Sequence, residues 1–146
     1  MILSNFKQSI LVLCLLASVI VSEARHHVHI RNDIGANIDL TVHCKSKNDD
    51  LGYHLLHPQE IFEFSFKPNI WGSTLFFCSF AWADQFKYFT IFKGGFYTSF
   101  CQDCFWMVHV DGLCLLKENS GAPGACLKWD NSLILTLQVE VNLMES

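Results

Sequence analysis

Cysteines, histidines and one pair of adjacent aspartates are the residues of this chain whose chemistry goes beyond packing. Of the seven cysteines, Cys14 sits in an apolar N-terminal run. The other six, Cys44, Cys78, Cys101, Cys104, Cys114 and Cys126, make an even set, the arithmetic of a disulfide framework in a short exported chain. Cys101-Gln102-Asp103-Cys104 is a C-x-x-C, which would imply thiolate redox chemistry in a cytosolic chain beside a βαβ unit. Neither condition is met, and each of its sulfurs is expected in a different disulfide. Zinc on Cys101, Cys104, Cys114 and Cys126 would have to compete with oxidation during export. Among the histidines, His26, His27 and His29 fall at an expected flexible start, and His43 points away from Cys44 on its strand, so solvated imidazoles are expected. If Arg25 begins the mature chain, His27 is its third residue, and an amine, two amides and an imidazole would chelate Cu(II) incidentally.

The acids offer less. Asp49 and Asp50 are neighbours following Lys45 and Lys47, a charged turn rather than two carboxylates flanking a glycosidic bond. Asn48, Asp49 and Asp50 also lack the spaced oxygens of a calcium loop. Neither a G-x-S-x-G elbow nor an H-E-x-x-H pair occurs. No catalytic set, resident metal or cofactor is expected, and the reading is of a protein that is not an enzyme.

The elements that carry these residues begin with a targeting segment. Lys7 precedes an apolar run from Ile10 to Val21, closed by Ser22, Glu23 and Ala24, which is the pattern of a secretory signal over residues 1–24. As a helix that run covers about 18 Å, short of a hydrocarbon core of about 30 Å. Cleavage after Ala24 removes Lys7 and Glu23 together, so the net charge of −4 is unchanged. The basic residues are scattered, which removes the footprint that nucleic acid requires. With 51% hydrophobic residues and thirteen Phe among 146 positions, the chain can bury one sizeable core. No Asn-x-Ser/Thr acceptor for N-glycosylation is present.

Period-two alternation recurs from Arg25 to Trp129 and predicts strands. Val28 and Ile30 alternate with His27 and His29, and Leu40, Val42 and Cys44 with Thr41, His43 and Lys45. Phe62, Phe64 and Phe66 share one side of a strand; Phe76, Cys78, Phe80 and Trp82 share one side of the next. A mixed run covers Phe86 to Phe92, and Cys104, Trp106, Val108 and Val110 alternate with Phe105, Met107 and His109 before an Asp111-Gly112 turn. Turn formers gather at Asn32–Gly35, Ser46–Gly52, Pro68–Gly72, Gly94-Gly95 and Ser120–Gly124. About seven or eight short antiparallel strands make an all-β, disulfide-bonded β-sandwich, with a closed barrel as the alternative.

Particular residues carry a resemblance. The stretch from Leu40 to Gly52, LTVHCKSKNDDLG, resembles the signature of the plant self-incompatibility S-protein homologue family. In order follow Thr74 to Trp82 (TLFFCSFAW), Cys101-x-x-Cys104-x-Trp106, Asp111-Gly112 and Lys128-Trp129. The resemblance covers Val28 to Trp129, within a domain of residues 25–129. It implies a small secreted β-sandwich without catalysis, a ligand for a cell-surface receptor; a cell-wall structural or defence protein is the alternative, and an exported hydrolase such as a ribonuclease comes last. It also implies a Cys114–Cys126 bridge, with Cys44 bonded to Cys104 and Cys78 to Cys101. Hydrophilic loops are implicated in recognition in the founding ligands, which gives that role to Lys47, Asn48, Asp49 and Asp50. The alternative is a solvated turn in which Asp49 or Asp50 accepts from local amides. Beyond the family's usual end, residues 130–146 alternate Leu133, Leu135, Leu137, Val139, Val141 and Leu143 with Ile134, Thr136, Gln138, Glu140 and Asn142. They are expected either as an added edge strand or as the accidental product of a misread gene end.

Overall fold

A computed structural model of the chain describes residues 1–21, 25–94, 101–116 and 123–129. The expected cleavage site at Ala24, parts of the turns at Gly95 and Ser120, and the extension 130–146 lie outside the described residues. Helix α1 (Ile2–Val21) is followed by nine strands: β1 (His26–Asn32), β2 (Leu40–Lys45), β3 (Asp50–Leu56), β4 (Ile61–Phe66), β5 (Leu75–Trp82), β6 (Gln85–Lys93), β7 (Asp103–Val108), β8 (Gly112–Leu116) and β9 (Pro123–Lys128). No described helix is long and apolar enough to cross a membrane.

The strands form two layers, a five-stranded sheet in the order β4-β1-β7-β8-β9 and a four-stranded sheet in the order β3-β2-β5-β6. Alternation puts one face of each strand inward. Val28, Ile30, Trp106 and Val108 from the first sheet meet Leu40, Val42, Phe80 and Ile91 from the second, all buried. Aromatic rings close the gap between layers: Phe66 lies 4.7 Å from Phe92, Phe64 5.2 Å from Phe76, and Phe89 5.4 Å from Trp106. Edge-to-face and tilted pairs of this kind add to the area they bury.

The fold corrects five expectations. Among the described residues the strands number nine, and β1 runs parallel to β7, His29 opposite Phe105. That pairing needs the whole chain between them as a crossover, which no local pattern announces. Asp50, Leu51 and Gly52 belong to β3 instead of a turn: Lys45 pairs with Asp50 across a register shift, and Gly52 takes φ 75° beside it. Val110, expected inside, is exposed because β7 ends at Val108. The residues from His26 onward are a strand at the centre of pairing, with His26 packed 5.2 Å from Phe92 and His29 stacked 4.0 Å from Phe105.

The fifth is the pairing of four of the six cysteines, while the Cys114–Cys126 bridge is the one the resemblance implies. Cys44 bonds Cys78, Cys101 bonds Cys104 and Cys114 bonds Cys126. Cys44 and Cys78 are directly opposed on β2 and β5, with Cα atoms 4.0 Å apart, so a bridge from Cys44 to Cys104 is excluded. Cys104 lies in the other sheet, opposite Val28. The C-x-x-C is therefore bonded to itself, which also removes zinc from Cys101, Cys104, Cys114 and Cys126.

Candidate recognition surface

The β2–β3 turn is built by one serine. Ser46 Oγ accepts from the amides of Asn48 at 3.3 Å and Asp49 at 3.0 Å, while the Ser46 amide donates to the Asp49 carbonyl at 2.8 Å. A hydroxyl satisfying two successive amides fixes the turn, and the same hydroxyl donates to Asp49 Oδ2 at 3.4 Å. Lys47, Asn48 and Asp49 are accordingly displayed to solvent. One residue before the turn's flank, the Cys44–Cys78 bridge ties β2 to β5.

Asp50 is held differently. Its Oδ1 lies 2.6 Å from His43 Nε2 and accepts from the Gly52 amide at 3.0 Å, and its Oδ2 lies 3.3 Å from Lys45 Nζ. The Gly52 N–H first, and then His43, hold the Asp50 carboxyl down to about 2. His43 is 9% exposed, with the Tyr53 ring 4.0 Å from its own. The expectation of a solvated His43 is thus corrected: the side chain does face away from Cys44, but Tyr53 and Asp50 cover it. Of the four predicted recognition residues, three are presented outward and Asp50 is engaged in holding the turn to the sheet.

The copper reading does not fit the observed backbone. The His27 amide, which would have to lose its proton to bind Cu(II), donates to the Gln102 carbonyl at 2.9 Å as part of the sheet. Among the described residues no group of three or more His, Cys, Asp or Glu side chains is placed to hold a metal.

Two exposed apolar features are not announced by the alternation. On the outer face of the smaller sheet, Tyr53 and Leu55 on β3 and Phe86 and Tyr88 on β6 stand at the two edges, all exposed. On the β4–β5 turn, Ile70 and Trp71 are 90% and 84% exposed. Their turn is knit by side chains: the Asn69 amide donates to Thr74 Oγ1 at 2.8 Å, and the Ser73 amide to Asn69 Oδ1 at 2.9 Å. The signal of it in the sequence is Ile70-Trp71 set among the turn formers Pro68, Asn69, Gly72 and Ser73.

The plant self-incompatibility protein S1 family matches residues 27–129, from β1 past the end of β9. The chain belongs to this family. S-protein homolog 5 of Arabidopsis thaliana is 47% identical over 90 residues, covering 62% of this chain and 67% of its own. S-protein homolog 2 of Arabidopsis thaliana is 36% identical over 115 residues, covering 75% and 71%. A solved structure of a self-incompatibility protein homologue superposes with a TM-score of 0.58 at 18% identity, covering 75% of this chain and 97% of its own. It is described as belonging to a widespread family of small, highly stable, secreted proteins from plants, and the likeness shows that the two share a fold. The matched S1 region contains the six bonded cysteines and the β2–β3 turn and stops short of the extension at 130–146.

Proposed function

We propose that this S1-family protein is exported, its residues 1–24 being removed as a signal peptide, and that it acts outside the cell as a non-catalytic ligand for a cell-surface receptor. The observation that carries the reading is the β2–β3 turn. Lys47, Asn48 and Asp49 are displayed on a backbone already satisfied by Ser46 and braced by a disulfide. A turn held in one conformation loses little entropy when a partner closes on it. Recognition by loops on a rigid sandwich is a common division of labour. Supporting export, the three disulfides suit an oxidising compartment.

The test is saturable binding of labelled protein to intact plant cells. Lys47→Ala and Asp49→Ala are expected to weaken binding about tenfold at unchanged melting temperature, the size of a good interface contact. Asp50→Ala is expected to lower both. Non-saturable adsorption to isolated walls, indifferent to these changes, would favour a wall component instead. Turnover of RNA, glycan or peptide that a single substitution abolishes would overturn the non-catalytic reading.

A further inference from the structure

The charges of the sandwich are sorted by end. Where β1 and β7 begin and β2, β4 and β6 finish, Arg25, Lys45, Lys47, Lys67 and Lys93 stand against Asp49, Asp50 and Asp103. At the opposite end Asp33, Asp39, Glu60, Asp84 and Asp111 stand against Arg31, Lys87 and Lys128. A chain with a net charge of −4 thus carries a positive pole. Such a separation orients a molecule before contact with a charged surface.

Among the described residues, the most exposed apolar side chains of the sandwich project from that positive pole. Ile70 and Trp71 are 90% and 84% exposed on the turn between Lys67 and Thr74. The turn is stiff, for Asn69 Nδ2 donates to Ser73 Oγ at 2.6 Å, and the Gly94 amide donates to the Thr74 carbonyl at 2.6 Å. With the amides of Asn69, Gly72 and Ser73 all bonded within it, the tip can leave water without stranding those donors. Trp and Ile flanked by lysines match an interface whose outer layer is anionic and whose inner layer is apolar. Two side chains are too few for the core of a specific protein interface, which covers roughly 800 Å² on each partner. They suffice for shallow, reversible insertion.

We infer that the Ile70–Trp71 tip and the cations around it form a docking site for an anionic phospholipid bilayer. The inference rests on the export reading in one respect: with α1 removed, the tip is what meets the lipid. Docking of this kind would hold the ligand at the cell surface and reduce its search for a receptor to two dimensions.

The experiment uses processed protein recovered from the medium of expressing plant cells, its first residue established by intact mass. Sedimentation with phosphatidylcholine vesicles is compared with and without phosphatidylserine. Binding is expected only with phosphatidylserine, and to weaken as salt rises. Trp71→Ala is expected to lower the bound fraction about tenfold, and Lys67→Gln with Lys93→Gln about tenfold as well. Because these side chains are outside the core, circular dichroism melts should be unchanged. Absence of binding by the processed protein, or binding indifferent to Trp71→Ala, overturns the inference and leaves the export reading standing. If Trp71→Ala abolishes binding to cells while vesicles bind nothing, the tip contacts a protein and the inference is again overturned. Recovery of the chain only with α1 attached overturns both.

Discussion

His43 Nε2 lies 2.6 Å from Asp50 Oδ1, beneath the ring of Tyr53. The pair spans the β2–β3 turn, so whatever holds Asp50 ionised also holds the turn closed. Its carboxyl is kept at about 2, first by the Gly52 N–H and then by His43. A carboxyl depressed on folding stabilises the fold above its ordinary value of 3.8, and that contribution fades as pH falls from there towards 2. Asp50→Asn is therefore expected to lower the melting temperature at neutral pH and to flatten its decline between those two values. Parallel acid limbs in scanning calorimetry would contradict the account.

The three bridges close loops of very different length, which ranks them. Sequence separations are 34 for Cys44–Cys78, 12 for Cys114–Cys126 and 3 for Cys101–Cys104. In the chain-entropy account their paired removal costs about 4, about 3 and about 2 kcal/mol respectively. Paired Cys→Ala variants unfolded in urea should follow that order. A non-reducing peptide map should recover these three pairs and no Cys44–Cys104 peptide.

Strands whose two faces differ in polarity are legible in the sequence. In β4, Phe62, Phe64 and Phe66 turn inward while Glu63 and Ser65 turn out, and β5 buries Phe76, Cys78, Phe80 and Trp82 as its alternation requires. β3 is not legible because its outward residues, Tyr53 and Leu55, are as apolar as its inward Leu56, and Gly52 breaks the pleat at a register shift. β8 and β9 are short and bounded by turn formers, and no alternation marks Leu113 and Leu115. The disulfides follow from register: Cys44 meets Cys78, and Cys114 meets Cys126, because their strands pair at those residues. Register is a property of two distant segments, and neither segment states it alone. The position of the β2–β3 turn is legible, but the division between exposed Lys47, Asn48 and Asp49 and engaged Asp50 depends on His43 reaching across from β2.

Asn32 offers a test of how the two sheets are joined. Fully buried at the end of β1, it donates from Nδ2 to the Ile38 carbonyl at 2.8 Å and the Leu56 carbonyl at 2.9 Å, and its Oδ1 accepts from the Ile34 amide at 3.2 Å. One amide thereby satisfies backbone groups of the β1–β2 connection and of β3 in the opposite sheet. Asn32→Leu would take this partner from two buried backbone groups and one half-buried carbonyl at once. A loss of about 2–4 kcal/mol is expected in urea unfolding. A loss within about 0.5 kcal/mol, the range of an ordinary surface change, would refute this role.

Gly112 is required by proximity instead of by dihedral freedom. It opens β8 opposite Lys128, and a Cβ built there would collide with the Leu127 carbonyl oxygen of β9. The obstacle is backbone on a strand tied to β8 by Cys114–Cys126, so it cannot swing aside as a flexible side chain would. The Gly112 carbonyl also accepts from the His109 amide at 2.9 Å, which fixes the tight return from β7. Gly112→Ala must therefore push β9 outward or break that turn, at an expected cost of about 1–3 kcal/mol. Gly52→Ala, at a positive φ with open space around its Cβ, is the control. Its cost is torsional strain alone, about 1 kcal/mol, and amide exchange should quicken around β3 for it and around β8 and β9 for Gly112→Ala. Equal protection of β8 and β9 in wild type and Gly112→Ala would show that the close approach does not constrain the edge of the sheet.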